Sequence, residues 1–220
     1  MTDQAIIQKT ADFIKEKFSV EGTGHDWWHM YRVWQLAKHI AKDEGKVDML
    51  TVELGALLHD IADWKFNDGD SSKDANEARA WLEKLKVDEK VIAEVTFIVE
   101  HISYKGGTNK FKMRTIEGKI VQDADRLDAL GAIGIARAFA YGGSVNRTIY
   151  NPDIKPKKYA DLADFKKKIP DNHTVNHFYE KLLLLKDQMN TKTGTQIAQF
   201  RHKYMEEFLK EFYAEWEGKK

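Results

Sequence analysis

No proline occurs before residue 152; the three in the chain, Pro152, Pro156 and Pro170, cluster in one stretch. Glycine is therefore the strongest backbone breaker over the first 151 residues, and apolar residues recurring every three and four positions there constrain the chain to helices. Ile6, Ile7, Phe13, Ile14 and Phe18 predict an amphipathic first helix, ended by Glu21-Gly22-Thr23-Gly24. Trp27 or Trp28, Tyr31, Trp34, Ala37, Ile40 and Ala41 predict a second, with Gly45 placed as its C-terminal cap. Asp48 can cap a third, whose Leu50, Leu54, Leu57, Leu58 and Ile61 spread over more than one face, as in a buried central helix.

The same reading continues to the C-terminus. Asn67 to Asp70 is a polar turn, and Ser71 with Asp74 forms a capping box for a helix reaching about Leu85. Val87-Asp88 starts another, with Ile92, Val95, Ile98, Val99 and Ile102 inward and Gly106-Gly107-Thr108-Asn109 as its breaker. Thr115 to Tyr141 reads as one bent helix or two, closed by Gly142-Gly143, with Gly131 and Gly134 allowing close approach of a neighbour. Ser144 to Asn172 is expected as a lysine-rich surface loop with short helical pieces, able to serve as a lid. Thr174 to Met189, then Ile197, Phe200, Tyr204, Met205, Phe208, Leu209, Phe212 and Trp216, predict two strong closing helices. The fold class is all-α, in a single domain over 1–220; an apolar stripe on the last helix fits either core packing or a homodimer.

Composition narrows the chemistry. With no cysteine among 220 residues, thiolate metal sites and cysteine nucleophiles are excluded, leaving nitrogen and oxygen ligands. Lys plus Arg balances Asp plus Glu at 35 each, so no global field attracts a nucleic acid polymer, although a local basic cleft for a small phosphate ester is compatible. The N-terminus lacks a signal-peptide pattern and no window suits a membrane span, so a cytoplasmic protein is the expectation.

Two histidine-aspartate dipeptides occur, His25-Asp26 and His59-Asp60, where about 0.7 is the chance number for this composition. The dipeptide alone carries little. His59-Asp60 differs because it ends the apolar helix, where burying an imidazole and a carboxylate is costly unless something pairs with them. A divalent cation is one such partner. His29, then His59-Asp60, then Asp125 also stand in the order H...HD...D, and three longer words surround them: His25-Asp26-Trp27-Trp28-His29 with Arg32-Val33, Leu57-Leu58-His59-Asp60-Ile61, and Asp123-Ala124-Asp125-Arg126-Leu127-Asp128-Ala129. On those residues the chain resembles the HD superfamily of metal-dependent phosphohydrolases, and within it the small stand-alone bacterial YpgQ/YedJ type. Ala132 to Arg137 and Arg201 to Trp216 extend the likeness over nearly the whole chain, most specifically 25–143.

The resemblance implies a multi-helix HD-domain bundle with a metal-site core over about 25–143 and a C-terminal helical extension over about 172–218. It makes His29, His59, Asp60 and Asp125 ligands of one divalent ion, Mn, Fe, Co, Ni or Mg, whose open positions suit hydrolysis by an activated water. Only His101 lies between the His-Asp pair and the last aspartate, which favours one metal over the branches with two or more. Asp63 is the catalytic candidate for positioning or deprotonating the water, or else a solvated helix-end residue. His25 is the candidate for binding phosphate or protonating a leaving oxygen, and Asp26 for a helix cap. Arg32 reaches either phosphate or a partner such as Glu53, and His101 faces either substrate or the helix end. Lys65, Lys105 and Arg137 are further phosphate-handling candidates, Asp128 a candidate for supporting the ligands or recognising substrate, and Trp64 for stacking on a nucleobase. The implied activity is a phosphohydrolase on a nucleotide, foremost a (deoxy)nucleoside triphosphate diphosphohydrolase. Alternatives are a nucleoside monophosphate phosphatase, a 3'-pyrophosphohydrolase, whose second acidic residue would fall at Trp64, and a non-enzymatic metal- and nucleotide-binding sensor.

Overall fold

A computed structural model describes residues 1–19, 26–61, 71–103, 112–157 and 172–220, and among them every regular element is helical. The chain divides into two compact units, Met1–Asp125 and Arg126–Lys220.

The first unit contains α1 (Asp3–Lys17), α2 (Trp27–Ala41), α3 (Met49–Leu58), α4 (Ser71–Lys84) and α5 (Glu89–His101), with most of α6 (Ile116–Asp128). Caps begin α3 and α5 where the sequence places them. Asp48 accepts from Leu50 N at 3.1 Å and from Thr51 Oγ1 at 2.7 Å, and Asp88 accepts from Lys90 N at 2.9 Å. Helix α3 is central: Leu54, Gly55, Ala56, Leu57 and Leu58 are all buried, so it lacks the single apolar stripe of a surface helix. Leu54, Leu58 and Ile61 pack with Ile14 of α1, Met30 of α2, Leu82 of α4 and Val95 and Val99 of α5 in one core. Each such side chain contributes about 1.5–3 kcal/mol by leaving water.

A glycine fixes the spacing around α3. A Cβ built on Gly55 would sit 3.3 Å from Val121 Cγ2 of α6, a tight contact, and 3.5 Å from Ile98 Cδ1 of α5, an ordinary one, so the glycine eases the approach of α3 to α6. One turn further along each chain stand His59, four residues after Gly55, and Asp125, four after Val121. The close approach therefore brings those two side chains together.

In the second unit, α7 (Gly131–Ser144) is followed by α8 (Thr174–Glu180), a 3-10 helix (Leu182–Gln188) and α9 (Lys192–Trp216). Three expectations are corrected or resolved here. The segment 115–141 is two helices, separated at Ala129-Leu130, and Gly131 holds φ +70°, a left-handed value that favours glycine. Helix α7 continues through Gly142 and Gly143 instead of stopping at them. Gly142 is there for packing, since a Cβ on it would meet Thr174 Oγ1 at 2.2 Å. The run 174–189 is not one helix: it breaks at Lys181 (φ −140°) into a 3-10 turn. In that turn buried Leu182 and Leu185 stack at a three-residue period. On α9, Ala198, His202, Met205 and Leu209 face inward, whereas Phe200 is 77% exposed. No helix of the described residues is long and apolar enough to cross a membrane. About half of the segment 144–172, expected as a lid, falls on residues outside the description, and the turns at 21–24, 67–70 and 106–109 fall there entirely.

Candidate metal centre

Four side chains from three helices converge in the first unit. Asp26 starts the geometry by capping α2, its carboxylate accepting from His29 N at 2.9 Å, which fixes the first turn and sets His29 facing inward. The dipeptide His25-Asp26 thus supplies a cap, while His25 lies outside the described residues.

His59 caps the other end of α3. Its Nδ1 donates to Ala56 O at 2.8 Å, satisfying a carbonyl that the ending helix leaves without an amide partner. That bond also sets the tautomer, because a neutral imidazole with its proton on Nδ1 presents the Nε2 lone pair on the opposite edge. His59 Nε2 lies 3.1 Å from His29 Nε2. Both imidazoles are nearly sealed from solvent, at 1% side-chain exposure.

The carboxylates stand at the rim. Asp60 Oδ2 is 3.7 Å from each histidine Nε2, and Asp125 Oδ1 is likewise 3.7 Å from each. Asp60 and Asp125 are 30% and 27% exposed, so histidines form the floor and carboxylates the opening. One donor atom each from His29, His59 and Asp125 lies within 4.8 Å of the others, with Asp60 completing the set through its distances to the histidines.

These donors fit a divalent cation. Ligand bonds of about 2.1 Å at right angles separate neighbouring donors by about 3.0 Å, which is the spacing of the two nitrogens. The carboxylates need to close by only about 0.7 Å to match it. Two imidazole nitrogens converging beside two carboxylates form a cluster of donors that a 2+ ion can hold together. Two imidazoles and two carboxylates leave positions of an octahedron for water or substrate.

The remaining sequence candidates are placed as follows. His101 ends α5, its Nδ1 donating to Phe97 O at 2.9 Å while the ring stacks on Phe97 at 4.3 Å, which holds the imidazole in one orientation. Asp128 is buried in the second unit and accepts from Arg137 Nη1 at 2.9 Å, so two of the sequence candidates pair with each other. Glu53, weighed as a partner of Arg32, accepts from Trp34 Nε1 at 2.7 Å. Asp63, Trp64, Lys65 and Lys105 lie outside the described residues. Sequence reading missed Gly55 and the carbonyl of Ala56, which set the spacing and tautomer of the centre. An i,i+3 offset from the last residue of an apolar helix is the signal that could have found Ala56.

Comparison with known proteins gives the same neighbourhood. The HD domain family model matches residues 27–130. The Bacillus subtilis (strain 168) protein YpgQ, described as uncharacterized, is 38% identical over 192 residues, spanning 87% of this chain and 84% of that one. Its crystal structure in complex with ADP superposes with a TM-score of 0.73 at 31% identity, over 98% of this chain and 97% of that one. A Lactobacillus plantarum protein of known structure gives a TM-score of 0.84 at 33% identity, over 99% and 100% of the two chains. An HD-superfamily hydrolase from Bacillus thuringiensis gives 0.75 at 42%, over 98% and 99%.

Proposed function

This chain belongs to the HD superfamily, among its small YpgQ-like bacterial members, and from that premise we propose that it is a metal-dependent phosphohydrolase acting on a nucleoside triphosphate and releasing pyrophosphate. The observation that carries the reading is the pair of imidazole nitrogens 3.1 Å apart, flanked by two carboxylate oxygens 3.7 Å from both. His29, His59, Asp60 and Asp125 would hold one divalent ion. Such an ion, when bound, polarises a phosphoryl oxygen and lowers the pKa of water toward neutrality.

The protein's own groups supply orientation and proton handling. The Asp26 cap fixes the turn that carries His29 and the His59–Ala56 bond fixes the His59 ring, so little reorganisation precedes binding. Asp63 positions the attacking water and takes its proton, the role the family resemblance implies, and His25, just before the helix of His29, binds phosphate or protonates the leaving oxygen. Arg32, Lys65, Lys105 and His101 receive the phosphate chain and its flanking groups, and Asp128 supports the helix that carries Asp125. The ADP complex of YpgQ supports a nucleotide as the substrate class.

A panel of nucleoside mono-, di- and triphosphates with Mn2+, read separately for pyrophosphate and orthophosphate, tests this. Pyrophosphate release from a triphosphate, abolished in His59→Ala and Asp125→Ala, is the expected result. Orthophosphate from monophosphates would replace the reaction while keeping the class. An inert panel with one equivalent of metal bound would leave a sensor rather than an enzyme.

A further inference from the structure

The last turn of α6 carries Asp125 and ends among arginines. Leu127 O, two residues past Asp125, accepts from Leu130 N at 3.0 Å and from Arg201 Nη1 of α9 at 2.6 Å. A charge-assisted bond at the C-terminal carbonyls of a helix meets the negative end of its dipole. Asp128, in the same turn, is a buried carboxylate placed where that dipole disfavours it, and it takes Arg137 Nη1 at 2.9 Å. Arg126 also donates from this turn, to Gln188 O of the 3-10 helix.

Arg201 is built in rather than draped over the surface. Burial lowers its pKa while the charge of Asp128 raises it, which describes a desolvated guanidinium beside its counter-ion. Its stem occupies the space left by Gly131, where a Cβ would come within 3.1 Å of Arg201 Cγ and 3.2 Å of Cβ. A guanidinium can meet a carbonyl and stand by a carboxylate at once through its planar fork, which an ammonium cannot reproduce.

We propose that Arg201 is a positioning residue for the metal centre: by binding Leu127 O beside the Asp128–Arg137 pair, it fixes the final turn of α6 and with it the direction of the Asp125 carboxylate. The proposal rests on the metal-centre reading above. Partners that orient ligands without touching the ion change metal affinity by about 10- to 100-fold when lost.

The test is calorimetric titration of Mn2+ into metal-free wild type, Arg201→Met and Arg201→Lys, with thermal melts of each metal-free protein alongside. Arg201→Met is expected to raise the Mn2+ Kd about 10- to 100-fold. Arg201→Lys should fall between it and wild type, with turnover lost at limiting metal restored by raising Mn2+. If Arg201→Met does not fold, the Lys variant decides, a Kd raised fivefold or more being the supporting result. A Kd within twofold of wild type in the folded variants, whatever their melting temperatures, overturns the proposal and leaves the metal centre intact. Absence of Mn2+ binding by wild type itself removes the metal-centre reading, and the proposal with it.

Discussion

Loading the site with metal should stabilise the whole first unit, because His29, His59-Asp60 and Asp125 come from α2, the end of α3 and α6. An ion held by all of them binds the folded chain and not the unfolded one. At free Mn2+ a hundredfold above its Kd the gain is about 2.7 kcal/mol. In a chain of this length each kcal/mol moves Tm by about 2–4 °C, so a rise of roughly 5–11 °C is expected. Asp125→Asn keeps the shape of the side chain and removes the charge 3.7 Å from both histidine nitrogens. If that raises Kd a hundredfold, the gain at the same Mn2+ falls to about 0.4 kcal/mol, and the rise to about 1–2 °C. The assay is scanning calorimetry on protein dialysed against chelator, with and without Mn2+, comparing each variant with itself so that its own stability cancels. Acid should shrink the wild-type rise, since protons compete for the same imidazole lone pairs. Equal rises in wild type and Asp125→Asn would refute the argument, because the ion would then be binding somewhere else.

Asp26→Ala removes the cap on His29 N and should cost about 1 kcal/mol in urea unfolding. It should also weaken Mn2+ binding by fraying the turn that presents His29, and unchanged affinity would detach the cap from the site. Gly134→Ala would place a Cβ 2.2 Å from the backbone oxygen of Ala129, which cannot swing aside as a side chain could. A loss of about 3 kcal/mol is expected, or roughly 6–12 °C in Tm, and a melt within 2 °C of wild type would contradict the packing at that position. His177 is pushed down from 6.5 to about 3 by burial, with Lys181 and Arg147 adding to the effect. It therefore stays neutral in the folded protein while the unfolded chain takes up a proton below pH 6.5. Stability is fully present above that pH and falls by up to about 1.4 kcal/mol per unit as pH drops towards 3. Between pH 6.5 and 5 wild type should lose about 1.7 kcal/mol more than His177→Gln, and superimposable pH curves for the two would sink the assignment.

The four candidate donors were legible through the family resemblance carried by the words around His29, His59-Asp60 and Asp125, and the structure brings these side chains close to one another. Helix starts at Asp26, Asp48 and Asp88 were legible locally, since a cap is read within three residues. What sequence misjudged were stops. Gly142-Gly143 looks like a terminator, yet α7 passes through it because Thr174, thirty-odd positions later, needs the space. Leu182 to Leu185 has the composition of an α-helix and winds as 3-10, a choice made by packing on the neighbouring elements rather than by propensity. Arg137 and Asp128 illustrate the remaining limit. Each reads as a candidate for substrate, and only distance reveals that they face each other.

Gly55 has no side chain to offer an ion, yet it acts as a gauge block beside the metal donors. The gap between α3 and α6 is set where its missing side chain lets Val121 in, and the distance from His59 to Asp125 one turn away inherits that gap. Ionic radius is the quantity such a gap discriminates, because larger cations need longer bonds and more ligands. A residue that a search for ligands would pass over thus bears on the spacing of the donors, and a side chain added there is expected to shift His59 relative to Asp125 while leaving all four donor groups chemically unchanged.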